Sequence, residues 1–174
     1  FCMRPIRLSL QYFGSYTDKQ TIDFDLLGTK GLYLITGDTG SGKTTIFDAI
    51  SYALYGNLSG DMREKGTVRS DFAGADVQTF IKLKMEHAGK VYLIERNPEY
   101  MRPKKRKSGE AEYTKEKENA ILTYPDGKVV EGIKEVNAKL LDILVLDYNQ
   151  FKQISMLAQG QFSKLLNAGS KEKV

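Results

Sequence analysis

Alternating apolar and polar residues predict two strands near the start of the chain. Ile6, Leu8 and Leu10 alternate with polar residues, and residues 21–24 repeat the alternation after a turn region. Successive side chains of a strand point to opposite faces, so this period of two is typical of a half-buried strand. The run 31–36 is almost continuously apolar, which predicts a strand buried on both faces, as in a parallel sheet.

From residue 44 the spacing of apolar residues becomes helical, and Gly56 is expected to end this helix. Its predicted apolar stripe consists of Ile46, Phe47, Ile50, Ala53 and Leu54. Residues 57–76 are polar and rich in glycine, which predicts a loop.

The second half of the chain predicts two hairpins followed by helices. Ala88-Gly89 and Pro125-Asp126-Gly127 are the expected turns, because proline presets one dihedral angle and glycine tolerates a positive φ. The predicted strands cover 80–85, 91–94, 121–124 and 129–130. The charged stretch 108–118 is expected to be mobile, and a helical pattern runs from 133 to 144 and resumes at Tyr148.

Composition limits the class of protein. With 41% hydrophobic residues among 174, the chain can bury a core, which excludes a disordered protein. No apolar run approaches the roughly 18 residues of a membrane span, so no membrane contact is expected. A single cysteine and a single histidine exclude a disulfide framework and a His/Cys metal cluster, and a cytoplasmic setting is expected.

A basic cluster lies between two of the predicted strands, and the net charge is +4. The cluster consists of Arg102, Lys104, Lys105, Arg106 and Lys107. Dense positive charge suits the phosphate backbone of DNA, which attracts cations regardless of base sequence. The neighbouring Pro103 and Ser108-Gly109 equally fit a solvated loop, and both interpretations stay open.

Residues 37–44 match G-x-x-x-x-G-K-[ST], the Walker A phosphate-binding loop. The match stands between a predicted strand and a predicted helix, which is the context that the motif requires. Its glycines let backbone amides approach phosphate oxygens, and the helix N-terminus adds a positive partial charge. Lys43 is expected to reach the β- and γ-phosphates of ATP, and the Thr44 hydroxyl to ligate Mg²⁺.

A second segment, residues 143–147, ends in an aspartate as a Walker B strand does. No catalytic glutamate follows it, because the next residue is Tyr148. Asp147 is better explained as a helix cap, with Gln150 three residues later completing a capping box. The alternative function is a self-contained P-loop kinase, or another small NTPase, that uses Asp147 as its Walker B residue.

Several segments together resemble the N-terminal ATPase-head segment of the bacterial SbcC family, which belongs to the SMC-like ABC ATPases. The resemblance is carried by Walker A and by the strings Y-F-G-S-Y at 12–16, V-R-S-D-F-A at 68–73 and L-A-Q-G-Q-F at 157–162. The last string is similar to the Q-loop of that family. The resemblance covers almost the whole chain and implies an α/β P-loop NTPase fold, with a mixed β-sheet and a Walker A helix.

The resemblance also implies which residues contact ATP and Mg²⁺. Gln159 would contact Mg²⁺ and the attacking water, so Lys43 and Gln159 are the implied catalytic residues, and Thr44 and Gln159 the implied metal ligands. The implied nucleotide contacts along the loop are Gly37, Asp38, Thr39, Gly40, Ser41, Gly42, Lys43, Thr44 and Thr45. The implied contacts near the nucleoside are Ser15, Thr67, Val68 and Arg69.

For the whole protein, the resemblance implies that residues 1–174 form one N-terminal lobe of an ATPase head. Residues 1–2 precede Met3 and are interpreted either as added residues or as an ambiguity in the start site, and residues 168–174 are expected to begin a coiled coil. Hydrolysis is expected only with a C-terminal lobe and a second SbcC head. The other implied partners are an SbcD-type nuclease and double-stranded DNA, with a role in DNA break and hairpin repair at the nucleoid.

Overall fold

One antiparallel sheet with helices on one face organises the chain, as shown by a computed structural model that describes residues 3–28, 34–58, 68–74, 77–104 and 113–155. The elements in chain order are β1 (Met3–Gln11), β2 (Lys19–Asp23), a 3₁₀ helix (Phe24–Leu27), α1 (Lys43–Tyr55), β3 (Phe80–His87), β4 (Lys90–Asn97), β5 (Tyr100–Pro103), β6 (Tyr113–Glu116), β7 (Asn119–Thr123), β8 (Val129–Glu131), α2 (Ile133–Leu144) and α3 (Tyr148–Ser155). The predicted α/β class is confirmed.

The main sheet has the strand order β2-β1-β3-β4-β7-β8, and each of these neighbouring pairs is antiparallel. Both predicted hairpins are confirmed. The β3–β4 turn places Ala88 and Gly89 at φ of 50° and 72°, the left-handed values of a tight hairpin turn. In the β7–β8 turn, the Tyr124 amide donates to the Lys128 carbonyl over 2.8 Å.

The core lies between the sheet and helices α1 and α2. Alternate residues along the strands point to this side, and the other side carries cross-strand ion pairs such as Lys82–Glu95. Fully buried strand residues of the core are Leu8, Leu10, Ile81, Leu83, Met85, Ile94, Ala120 and Leu122. The helices cover them with Ala49, Ala53, Leu54, Val136, Leu140 and Leu144.

Three expectations are corrected: one about a strand, one about the burial of a side chain and one about a stretch expected to be mobile. Residues 34–36 lie in no strand and Leu34 is 88% exposed, because no described strand lies beside them to supply backbone partners. Phe47 is 43% exposed, because α1 contacts β3, β4 and α2 through its other residues. Residues 113–116 form β6, which pairs with β5, so this part of the expected mobile stretch is ordered. Residues 31–33 and 105–112 lie outside the described residues.

A buried arginine closes the C-terminal end of α1. Arg96 of β4 is 2% exposed, and its Nε donates to the Ala53 carbonyl over 2.7 Å and its Nη2 to the Leu54 carbonyl over 3.3 Å. The same Nη2 donates to Oδ1 of Asn137 in α2 over 2.6 Å. The last carbonyls of a helix have no partner within it, and a cation there also offsets the negative end of the helix dipole. Arg96 therefore joins β4, α1 and α2.

Replacing this arginine is expected to destabilise the fold. Arg96→Met removes the charged donor and leaves the buried carbonyls of Ala53 and Leu54 and the part-buried Oδ1 of Asn137 without it, so we expect a loss of about 2–4 kcal/mol in the free energy of unfolding. Urea denaturation followed by circular dichroism measures the loss. The control is Arg7→Met, which removes an exposed ion pair with Asp23 and should cost less than about 1 kcal/mol. Equal losses in the two variants would contradict the role of Arg96.

The ionisation of Tyr55, the last residue of α1, is expected to lower the stability of the fold at alkaline pH. Burial and the Asp147 carboxylate raise the pKa of Tyr55 to about 12, and its hydroxyl donates to the Leu146 carbonyl over 3.2 Å. The folded pKa lies above the unfolded value near 10, so the stabilisation is complete below about pH 10 and is lost as the pH rises towards 12.

Comparison of the parent chain with Tyr55→Phe tests this pH dependence. Near neutral pH the variant should be less stable by about 1 kcal/mol, because it lacks the hydrogen bond. That difference should shrink between pH 10 and about 12, where the parent alone loses the contribution of Tyr55. Urea denaturation at successive pH values measures the difference at neutral pH and its change above pH 10. Burial lowers the pKa of Arg96 to about 10, which has the opposite effect on stability in this pH range. Because the parent and the variant both contain Arg96, this effect is common to the two proteins. A constant difference would refute the assignment.

Candidate functional site

The Walker A segment forms an exposed loop that ends where α1 begins, at Lys43. Gly40 and Gly42 both have φ of 88°, which is strained for other residues. Gly42 is the residue that caps α1, and as a glycine it has no side chain to accept a hydrogen bond from the first amides of the helix. The first amides of a helix lack partners within it, so this end of α1 can bind an anion such as phosphate.

The Lys43 ammonium lies against the loop that it follows. Its Nζ donates to the carbonyls of Gly37 and Asp38 over 2.7 and 2.6 Å, and to the Ser41 hydroxyl over 3.3 Å. All three acceptors are neutral, and no ion pair of Lys43 occurs among the described residues. The positive charge is therefore not neutralised, as the binding of a triphosphate requires.

The two threonines that follow Lys43 have different surroundings. Thr44 is exposed at the first turn of α1, so its hydroxyl is open to a ligand. Thr45 is 4% exposed, and its Oγ1 lies 3.1 Å from the Ser15 hydroxyl inside the protein. The charge of Lys43 and the exposure of Thr44 are compatible with ATP and Mg²⁺. Contacts with the nucleotide or the metal by Lys43, Thr44, Thr45 and Ser15 all stay predictions.

A turn after β1 packs against the Walker A loop and brings two predicted site segments together. The Gly14 amide donates to the Val68 carbonyl over 2.9 Å, and Ser15 reaches Thr45. The next residue, Tyr16, donates its hydroxyl to the Gly42 carbonyl over 3.3 Å. Tyr16 was not among the predicted site residues, and its place in the Y-F-G-S-Y string is the only signal that could have identified it.

Arg69 follows Val68 in the chain, and its side chain is held by three hydrogen bonds. Its Nη1 donates to the Val77 carbonyl over 3.0 Å and to the Thr79 hydroxyl over 2.7 Å, and its Nη2 to the Gly74 carbonyl over 2.7 Å. The guanidinium also lies 4.2 Å from the centre of the Tyr100 ring. These contacts connect Arg69 to residues 74, 77 and 79 and to Tyr100 of β5. Nucleoside contact by Arg69 stays a prediction, and Thr67 and Gln159 lie outside the described residues.

The contacts of Asp147 confirm the predicted capping box. The Gln150 amide donates to Oδ1 of Asp147 over 2.9 Å, and the Asp147 amide donates to Oε1 of Gln150 over 3.0 Å. The carboxylate therefore serves the start of α3, as the capping box requires. This removes the main support for the kinase hypothesis, in which the carboxylate would hold Mg²⁺.

The basic cluster is described only in part. Arg102 pairs with Glu116 between the antiparallel strands β5 and β6, and Lys104 is half-buried. Residues 105–107 lie outside the described residues, so DNA contact by the cluster stays a prediction. Across the described ranges, no group of three or more His, Cys, Asp or Glu residues could hold a metal, and no helix is long and apolar enough to cross a membrane.

Comparisons with known proteins agree with the interpretation of residues 37–44 as a phosphate-binding loop. Residues 7–174 match a protein-family model described as an AAA domain. The chain is 41% identical to the C subunit of the nuclease SbcCD of Vibrio cholerae, over 98% of this chain and 17% of that protein. For the proteins of the same name from Lactococcus lactis and Staphylococcus aureus, the identities are 39% and 32% over 98% of this chain, covering 16% and 17% of the relative. The chain thus spans only a minor part of the curated relatives it matches.

Substitution of Gly42 is expected to disturb the loop more than substitution of Gly40. Both have φ of 88°, so an alanine at either position incurs the left-handed cost of about 1 kcal/mol. At Gly42 the new Cβ would also lie 2.8 Å from the Ser15 hydroxyl and 3.1 Å from the Tyr16 ring, whereas at Gly40 nothing lies within 4 Å. Urea denaturation should show Gly42→Ala less stable than Gly40→Ala by about 1 kcal/mol or more, and equal stabilities would contradict the packing described.

Proposed function

The chain belongs to the AAA-domain family of P-loop ATPases, and we propose that it forms the ATP-binding lobe of an SbcC-type ATPase head. The observation that carries the proposal is the Lys43 ammonium, which lies at the N-terminus of α1 with only neutral partners in the loop. The similarity to three SbcCD proteins along 98% of the chain supports it. The lobe would comprise residues 1–174, with 168–174 leading into a coiled coil.

Each part of the loop has a distinct role in holding ATP. The backbone amides at the start of α1 donate to phosphate oxygens, because the helix offers them no other acceptor. Lys43 leaves the carbonyls of Gly37 and Asp38 and binds the β- and γ-phosphates. The exposed Thr44 hydroxyl ligates Mg²⁺, which neutralises charge on the phosphates when it is bound. Gln159 would orient the attacking water.

Hydrolysis is proposed to need more than these residues. Phosphoryl transfer requires groups that orient water and groups that stabilise the developing charge. The 174 residues hold no Walker B aspartate followed by glutamate, and Asp147 is a helix cap. We propose that a C-terminal lobe and a second head supply the missing groups, with one ATP held between each Walker A loop and the partner head.

The proposed biological role follows the names of the relatives. Each is named as the C subunit of the nuclease SbcCD. We propose that the chain regulates a separate, SbcD-type nuclease that cuts double-stranded DNA during repair. Binding and hydrolysis of ATP would change the shape of that complex, in the cytoplasm of a bacterium. The nuclease activity itself is assigned to the partner.

The proposal is tested by the affinity of the chain for ATP with Mg²⁺. Lys43→Ala should weaken binding roughly 10- to 100-fold, since it removes a charged donor to the phosphates, while circular dichroism stays unchanged. Lys84→Ala, on the exposed face of β3, is the matched control and should bind as the parent does. Calorimetry measures the affinities, and equal affinity of the parent and Lys43→Ala would refute the proposal.

Phosphate release by the same proteins tests the second half of the proposal. The chain alone should turn over ATP scarcely, and addition of the separately produced C-terminal lobe of the same protein should raise turnover. Lys43→Ala controls for contaminating ATPases. Robust turnover by the chain alone that depends on Lys43 would favour a self-contained enzyme and contradict the proposed half-site.

A further inference from the structure

The side chain of Tyr16 contacts the backbone at the start of α1. Its hydroxyl donates to the Gly42 carbonyl over 3.3 Å. Its Cζ and hydroxyl lie 3.1 and 3.2 Å from the position that a Cβ of Gly42 would occupy. The ring thus fills the space beside Gly42. Position 42 is therefore a glycine because of this packing as well as because of its dihedral angles.

The hydrogen bond sets the direction of one amide. A peptide unit is planar and trans, so its C=O and N–H point in opposite directions. The Gly42 carbonyl shares a peptide unit with the Lys43 amide. When Tyr16 holds that carbonyl, the Lys43 N–H points away from Tyr16, and it is one of the first amides of α1, which lack an acceptor within the helix.

Tyr16 is itself held in place by a strained turn. Tyr12 has φ of 48°, a left-handed value that costs a non-glycine residue about 1 kcal/mol or more. The Ser70 amide donates to the Tyr12 carbonyl over 2.9 Å, and the Tyr16 amide donates to the Phe13 carbonyl over 3.0 Å. Burial raises the pKa of Tyr16, so its hydroxyl remains a donor at neutral pH.

We propose that Tyr16 is a positioning residue of the nucleotide site, which holds the Gly42–Lys43 peptide so that its amide faces the phosphates. This inference deepens the proposed function and rests on it. The amides of a Walker A loop cradle the α- and β-phosphates, which ATP and ADP share. Loss of the hydroxyl should therefore weaken both nucleotides by the same factor.

The test compares Tyr16→Phe with Tyr55→Phe in the same chain. Each substitution removes one tyrosine hydroxyl that donates to a backbone carbonyl, over 3.3 Å at Gly42 and 3.2 Å at Leu146, from opposite ends of the α1 region. Calorimetry gives the affinities for ATP and ADP with Mg²⁺, and urea denaturation gives the stabilities. Exchange of the Lys43 amide proton, measured by NMR without nucleotide, reports the peptide directly.

The proposal predicts similar stability for the two variants and different affinity. Tyr16→Phe should bind ATP and ADP roughly two- to tenfold more weakly than the parent, the fold-change of one hydrogen bond, and its Lys43 amide should exchange faster. Tyr55→Phe should match the parent in both measurements. The proposal is overturned if the two variants bind alike, or if the loss in Tyr16→Phe is confined to ATP. A parent chain that binds neither nucleotide would refute the proposed function instead, while the exchange of the Lys43 amide would still test the contact.

Discussion

The hydrogen bonds of Arg96 to the end of α1 are the interaction on which the position of the phosphate loop depends. They fix the C-terminal carbonyls of that helix to β4 and, through Asn137, to α2. Burial lowers the pKa of Arg96 to about 10, so the side chain is still protonated at neutral pH and still a cation beside the negative end of the helix dipole. A helix anchored in this way presents its N-terminus at a constant position.

The opposite end of α1 is held by a different part of the sheet. The turn after β1 contacts the helix through Ser15 and Tyr16, and a Cβ on Gly14 would lie 2.7 Å from a methyl carbon of Thr45. Gly14 also bonds to Val68, so the loop that carries Arg69 is joined to the same assembly. The phosphate loop is therefore attached to the sheet at both ends of its helix, as a site that must pre-organise several amides requires.

Local patterns predicted well where the deciding interactions lie within a few residues. The capping box of Asp147 and Gln150 and the turn at Ala88-Gly89 are such cases, because the residues that form them are adjacent or three apart. Prediction failed where residues that are distant in sequence decide whether a segment forms a buried strand. The apolar run that includes Leu34 has the composition of a buried strand, yet burial depends on neighbouring strands, and none of the described strands lies beside it.

The phosphate loop, the helix that follows it and the hairpins could all be predicted from the amino-acid sequence, because glycine dihedrals, amphipathic periods and caps are properties of short segments. The roles of Arg96, Tyr16 and Arg69 could not, since they exist only in the folded chain. Arg96 contacts a carbonyl 43 residues away, and Tyr16 one 26 residues away. Such contacts leave no period or spacing in the chain, because the energy of each comes from burial and geometry that arise only after the sheet and α1 have packed together.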